Sequence, residues 1–313
     1  MSQEHVPIRV STLRGDQKID FDAYLKINEK FILYLRRGDS FEGDRLSRLK
    51  SKKLKKMFIV PTDEENYRTY LHRNIEMAYD KGSGKSVETR AEIIQGSQQS
   101  NSEAVMENPE NEQVYGEAKS GALKFAQWLT GEDEAFKHIM NIENSDQSIA
   151  HHGVTVSTLS VALAKRLGWN DEKQIQMLTL GSLLHDFEHF HSGLSIARPL
   201  EQFTPDELKI YKDHPVAGGK RVQDKKHFDQ QVLNIIVQHE EYIDGKGYPQ
   251  GLNEQKMDPL AVVCATANAL DRMITFEGVP KAEAAKKLMI SAVGRYPLKY
   301  IQLLGEIMNQ MKA

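Results

Sequence analysis

The chain has 313 residues, of which 40% are apolar and 27% are charged, a balance that excludes wholesale disorder and suits one large or two modest domains. Lys and Arg number 41 against 44 Asp and Glu, so no overall basic field favours nucleic-acid binding. The single cysteine, Cys264, excludes an intramolecular disulfide and a multi-cysteine zinc site, and the lack of a long apolar run or an export signal predicts a cytoplasmic protein without membrane spans.

Residues 1–80 are predicted to form a small α+β domain. Two strand-like runs, 23–27 and 31–35, flank polar residues and predict a hairpin; a helix over 45–56, a short strand over 57–60 and a further helix follow. The basic residues of 45–56 could contact nucleic acid, but few aromatic residues are interleaved with them, which favours a solvated helix face. Since no catalytic motif is present, this domain is interpreted as a regulatory or interaction module.

Residues 81–115 are rich in Gly, Ser, Gln, Asn and Glu, a composition typical of a linker or mobile loop, with a short helix at 87–94. From 116 to 313 apolar residues recur at helical spacing and strand patterns are sparse. Helices are predicted at 172–186, 205–213, 215–223, 228–240, 259–274, 281–293 and 297–312. The predicted fold is therefore mostly α, a C-terminal helical bundle with a small N-terminal α+β domain.

Histidine is unevenly distributed, because nine of the eleven histidines lie between positions 138 and 239. In a chain with one thiol, this clustering indicates a metal site built from imidazoles and carboxylates. His152 lies four residues before Val156, so it should project from the apolar face of its helix into the bundle. Each further candidate alone would be incidental, but their ordered spacing indicates a di-metal hydrolase centre. These candidates are His185, Asp186, His214, His239, Glu240, and either Asn268 or Asp271.

A glycine-rich loop, DGKGYPQGL, follows the last of these histidines at residues 244–252. Gly245 and Gly247 permit unusual backbone angles and let the chain approach a ligand closely. Lys246 and Tyr248 offer an ammonium and a hydroxyl to a phosphate group. By itself, a DGxG sequence indicates only a turn.

Over residues 140–310 the sequence resembles the HD-GYP family, a branch of the HD phosphohydrolases that hydrolyse cyclic dinucleotides, typically cyclic di-GMP. The resemblance is carried by HHGVTVSTLSVALAKRLGW, LLHDFEHF, FTPDEL, HPVAGGK, HEEYIDGKGYPQGL and ALD. It implies an HD-type bundle over 116–313 and a cyclic-dinucleotide ligand. It also implies two divalent transition metals, iron first with manganese or zinc as alternatives, and a diguanylate-cyclase-type protein partner at the loop around Tyr248.

The resemblance also assigns the site residues. His152, His185, Asp186, His214 and His239 fall at the family's ligand positions, with Asp186 as the bridging and catalytic carboxylate. Glu240 falls on the second histidine of a pair and Asn268 on the last metal-binding aspartate, so both are candidate ligands. Substrate contacts are predicted for Lys246, Tyr248, Gly245 and Gly247, and a catalytic or phosphate-orienting role for His189.

Several positions depart from the family pattern. His189 stands where the family carries the lysine of HDxxK, and Val262 stands where it carries an arginine. Ser148 stands where members with three metals carry a glutamate, which indicates at most two metals. A second hypothesis is therefore open, in which the protein binds metal and a nucleotide or partner protein without turnover. Phosphomonoesterase activity is a third, and the loop around Tyr248 argues against it.

Overall fold

The computed structural model describes residues 4–15, 17–52, 54, 56–132, 134–142 and 148–310. The chain divides into two compact units, the first running to Ser100 and the second beginning at Asn101. The regulatory role assigned to the N-terminal residues stays a prediction.

The first unit contains a four-stranded antiparallel sheet in the order β1-β4-β2-β3. Its hairpin is as predicted, and Asn28 and Glu29 form the two-residue turn with positive φ angles of 48° and 61°, the combination that suits the twist of paired strands. Buried Phe21, Tyr67 and Tyr70 lie in its core. The elements are β1 Val6–Arg9, β2 Ala23–Ile27, β3 Lys30–Leu35, α1 Arg45–Ser51, β4 Lys56–Ile59 and α2 Glu64–Tyr79.

The prediction of a linker or mobile loop over residues 81–115 is wrong for most of that segment. A single helix, α3, runs over Val87–Glu107, and α4 begins at Glu112. Composition misleads here because polar residues such as Gln98 and Ser102 are buried. Gly96 also permits close packing, since a Cβ on it would lie 2.6 Å from the Ser11 carbonyl oxygen.

The second unit is helical, and its described residues contain no β-strand beyond the isolated Asp244–Asn253 bridge. Two of its helices are buried on almost every face, which marks them as central. These are α6 and α10. The helices are α4 Glu112–Gly131, α5 Ala135–Asn141, α6 Ile149–Arg166, α7 Glu172–Leu184, α8 Pro205–Val222, α9 Gln230–Gln238, α10 Pro259–Thr275, α11 Lys281–Ser291 and α12 Leu298–Gln310.

The two helices predicted on either side of His214 are one continuous helix, α8, with Pro215 inside it. Proline has no N–H for the carbonyl of the residue four positions earlier, here Tyr211. That carbonyl accepts instead from the His214 ring. The proline is thus accommodated because a side chain replaces the missing backbone donor. Among the described helices, none has the length and apolarity needed to cross a membrane.

The only cysteine in the sequence should be unreactive in the folded protein. Cys264 on α10 is fully buried, and burial raises the pKa of its thiol to about 12. Because the thiolate is the reactive species, only about one molecule in 10⁴ would carry it at pH 8. We expect no reaction with a chromogenic disulfide reagent under native conditions and one thiol per chain in guanidinium. Rapid native labelling would show that α10 opens readily.

Candidate metal centre

The crossing of α6 and α7 brings the first two histidines together. Gly153 lies against the α7 backbone, and a Cβ there would be 2.6 Å from the carbonyl oxygen of Leu183. Only glycine allows this separation. The neighbouring rings of His152 and His185 consequently lie with their centroids 5.0 Å apart.

Helix ends orient two of the histidines. His185 and His239 each directly follow the last residue of a helix, α7 and α9, where carbonyl groups lack intrahelical donors. His185 Nδ1 lies 2.8 Å from the Ser182 carbonyl oxygen, and His239 Nδ1 lies 3.0 Å from that of Ile236. Since a carbonyl only accepts, each Nδ1 carries the proton and each Nε2 presents a lone pair.

The same tautomer is imposed on the other two histidines. His214 Nδ1 donates to the Tyr211 carbonyl that Pro215 leaves free. His152 Nδ1 lies 2.6 Å from a carboxylate oxygen of Asp271 on α10. Such carboxylate and carbonyl partners are typical of histidines that bind metal through the opposite nitrogen.

All four Nε2 atoms surround the buried carboxylate of Asp186. Its Oδ2 lies 3.6 Å from Nε2 of both His152 and His185. Its Oδ1 lies 3.4 Å from Nε2 of His214 and 3.5 Å from that of His239. The ligand atoms therefore form two sets that share one carboxylate, and within each set they lie within 4.8 Å of one another.

The donor atoms fit a metal site better than a self-contained hydrogen-bond network. His185 Nε2 and Asp186 Oδ2 are buried without a hydrogen-bond partner, which is costly unless a cation lies nearby. His214 Nε2 lies 2.8 Å from His239 Nε2, and two lone pairs can face each other at that separation only with a proton or metal ion between them. These residues could hold divalent metal ions.

The charges of the centre favour an ionised Asp186 carboxylate beside a neutral His185 imidazole. Burial lowers the pKa of His185 to about 3. Burial alone would raise the pKa of Asp186, but the surrounding histidines, His185 first, hold it well below its ordinary value. Burial likewise opposes protonation of His239, yet its bond to Asp186 raises the pKa of that imidazole.

The two remaining predicted ligands, Asn268 and Glu240, and the predicted catalytic residue His189 are also buried at the centre. Asn268 Oδ1 is 3.0 Å from His152 Nε2, so the amide borders the first set. Glu240 is buried and accepts a hydrogen bond of 2.7 Å from the Tyr211 hydroxyl. His189 is buried with both ring nitrogens unpartnered, and its ring lies against His214. Burial, and next His214, lower the pKa of His189 well below its ordinary value, so it is neutral.

The glycine-rich loop contributes unevenly. The Tyr248 side chain packs against the apolar cluster around Tyr211 and Phe276, and its buried hydroxyl has no partner among the described residues. Burial, then Glu240, raise the pKa of this phenol, so it stays protonated. Lys246 is 82% exposed and lies 3.5 Å from Asp244, so no described contact brings it to the centre.

The two predicted glycines serve the loop itself. Gly245 has a φ of 76°, which favours glycine. A Cβ on Gly247 would lie 2.2 Å from the backbone nitrogen of Tyr242. Close packing within the loop accounts for these glycines, and their predicted close approach to a ligand stays a prediction.

Sequence reasoning missed three buried residues of this site: Arg272, Tyr211 and Glu241. A tyrosine three residues before His214, on the same helical face, was a usable signal for Tyr211. Glu241 could have been suspected from the paired acids after His239. Arg272 follows Asp271 on a buried helix, where an arginine is unusual, and that placement was its signal.

Glu241 should control the stability of the loop. Its Oε1 and Oε2 accept from the backbone N–H groups of Gln250 (2.6 Å) and Leu252 (2.9 Å). Replacing Glu241 with Gln leaves one N–H facing an amide N–H₂, and we expect unfolding free energy to fall by about 2 kcal/mol. Urea unfolding measures this change, and hydrogen exchange over 244–252 should accelerate. Exposed Glu254→Gln is the matched control; equal effects in both variants would contradict this role.

Comparisons with known proteins found a family model and a solved structure that match this chain. A family model described as an HD domain matches residues 137–296. The solved structure of Bd1817, an HDG"Y"P protein from Bdellovibrio bacteriovorus, is 61% identical, covers 98% of this chain and 100% of that one, and superposes with a TM-score of 0.92.

Two curated proteins are each similar to about half of the chain. Cyclic di-GMP phosphodiesterase PdeB of Borreliella burgdorferi is 25% identical over 50% of this chain and 45% of its own length. Cyclic di-GMP phosphodiesterase PA4108 of Pseudomonas aeruginosa is 26% identical over 52% of this chain and 44% of its own length. The chain thus spans less than half the length of these relatives.

Proposed function

Because this chain belongs to the HD-GYP family of HD-domain proteins, we propose that it is a metal-dependent phosphodiesterase that hydrolyses a cyclic dinucleotide, cyclic di-GMP in the first place. The observation that carries the proposal is the convergence of four imidazole nitrogens on the two oxygens of Asp186. The names of the curated relatives support the substrate class.

The two ligand sets would hold two divalent metal ions. His152 and His185 with one oxygen of Asp186 would hold the first, and His214 and His239 with the other oxygen would hold the second. Asn268 and Glu240 lie where they could complete these sets. When bound, such ions supply Lewis acidity that activates water and neutralises charge on phosphate.

The chain's own groups have further tasks in this proposal. Asp186 keeps the two sets at a fixed separation through its shared carboxylate. Tyr248, whose phenol remains protonated, would donate a hydrogen bond to a phosphate oxygen at the edge of the centre. The cluster around Tyr211 and Phe276 would exclude water from that side.

Iron is the proposed metal, with manganese or zinc as alternatives. Imidazole nitrogen with carboxylate oxygen suits each of these ions, so the ligand set alone does not choose among them. Elemental analysis of protein purified without a metal-binding tag measures the identity directly. Two equivalents of one transition metal per chain is the expected result, and none would contradict the proposal.

Hydrolysis is tested by incubating the metal-loaded protein with cyclic di-GMP and identifying products by mass spectrometry. A linear dinucleotide or a mononucleotide is expected. The matched control is Asp186→Ala prepared in parallel. The hydrolase proposal fails if fully metal-loaded protein releases no product from cyclic di-GMP or from a mixed cyclic dinucleotide.

One observation favours the alternative, binding of metal and nucleotide without turnover. His189 stands where the family carries a lysine, and burial keeps this imidazole neutral, so the position supplies no positive charge to a phosphate. Saturable binding of cyclic di-GMP without product in the same assay would identify this function. The cytoplasmic location and a diguanylate-cyclase-type partner at the loop around Tyr248 stay predictions.

A further inference from the structure

The guanidinium of Arg272 is a buried cation that has no ionic partner in the described part of the chain. Arg272 lies on α10 and is 8% exposed. Buried arginines are ordinarily paired with a carboxylate, because an unpaired buried charge is costly. Among the described residues, however, this guanidinium forms no ion pair and donates no hydrogen bond. Its only described contacts of this kind are with two aromatic rings: Cζ lies 5.0 Å from the ring centroid of Tyr211 and 5.3 Å from that of Phe276.

This guanidinium faces the metal centre. Arg272 follows Asn268 by four residues, which places both on one face of α10. Burial opposes its charge, but Tyr211, Glu240, Asp186 and Tyr248 raise the pKa of Arg272 above its usual value. Its planar set of N–H donors is therefore charged, fixed by ring contacts and left without acceptors.

The centre otherwise lacks a buried cation. From 148 to 310, no other described Lys or Arg is buried. Val262 is apolar, and Lys246 is exposed and paired with Asp244. An anionic substrate that enters would find one fixed organic cation beside the metal ligands, and its donors would be free.

We propose that Arg272 binds a phosphate group of the substrate, with Tyr211 and Phe276 holding the guanidinium in position. This role rests on the proposed function for the identity of the substrate, but it concerns recognition of the oxyanion. A guanidinium matches two oxygens of one phosphate at once, and such charge-assisted pairs are among the strong hydrogen bonds. The same group would counter the charge that develops on phosphate oxygens.

The test measures binding of inorganic phosphate to metal-loaded protein by calorimetry, with metal content determined in every sample. Arg272→Met should weaken phosphate binding about 10- to 100-fold at unchanged metal content. Arg272→Lys should give an intermediate loss, since it keeps the charge without the planar fork. The matched control is Arg221→Met on α8, whose guanidinium pairs with Glu188 at 2.8 Å; its phosphate affinity should equal that of the wild type.

Three results would overturn the proposal: wild-type protein that binds no phosphate, Arg272→Met that binds it as tightly as the wild type, or Arg272→Met that loses metal together with phosphate. If Arg272→Met does not fold, Arg272→Lys decides, and undiminished affinity there overturns the role. Loss of phosphate binding in a protein that never hydrolyses cyclic di-GMP would support Arg272 while removing the hydrolase function. Unchanged phosphate affinity in an active Arg272→Met enzyme would contradict the role of Arg272 while supporting the hydrolase function.

Discussion

Replacing Asp186 with alanine will remove both metal ions and abolish hydrolysis. The carboxylate belongs to both ligand sets, with Oδ2 facing His152 and His185 and Oδ1 facing the second pair. Removing a group that is hydrogen-bonded to a metal ligand already weakens metal affinity by about 10- to 100-fold. Removing a ligand that both sets share should therefore weaken metal affinity at each set by more than about 100-fold. Elemental analysis and cyclic di-GMP turnover measure the two losses.

The matched control for this change is Asp213→Ala. Asp213 precedes His214 on α8 but is exposed, so the substitution removes an equal charge near the centre without touching a ligand. Its metal content and turnover should equal those of the wild type. Circular dichroism should show that both variants keep their helices. An Asp186→Ala protein with its full complement of metal would show that the ligand assignment is wrong.

The gathering of the predicted ligand residues could be anticipated in part, because the groups that orient them are local. A histidine one residue beyond a helix, as at His185 and His239, meets carbonyl groups that need a donor, and that geometry follows from the position of the helix end. The apolar spacing of α6 likewise placed His152 inside the bundle. These local patterns explain how His152, His185 and His239 are oriented, whereas their assignment as metal ligands came from the resemblance to the HD-GYP family and stays a prediction.

Other features depended on tertiary contacts that no local pattern encodes. Pro215 would ordinarily end a helix, and it does not because His214 supplies the donor to the Tyr211 carbonyl. The linker prediction failed because burial of residues such as Gln98 outweighs composition. Arg272 was missed because one of its two supporting rings, Tyr211, comes from another helix, α8, and lies 61 positions away in the sequence. These are effects of packing, which sequence spacing does not specify.

Replacing Asp271 with asparagine will weaken one metal position selectively. Asp271 Oδ2 accepts from His152 Nδ1 at 2.6 Å, while its Oδ1 accepts from the Thr275 hydroxyl at 3.1 Å. The carboxylate fixes the His152 tautomer and increases the basicity of Nε2, and a neutral amide does this less well. We expect affinity at the set containing His152 to fall about 10- to 100-fold, with little change at the set formed by His214 and His239.

Titrating the protein with metal in competition with a chromophoric chelator resolves the two metal-binding steps. Only the step assigned to His152 and His185 should shift, because no hydrogen bond between described residues joins Asp271 to the other set. Thr275→Val is the graded control, because it removes a hydrogen bond to the Asp271 carboxylate but leaves the charge. Its loss of metal affinity at the set containing His152 should be several-fold smaller than that of Asp271→Asn. Equal weakening of both steps would mean that Asp271 supports the whole centre through packing, whereas a lower melting temperature with unchanged affinities would assign it a structural role only.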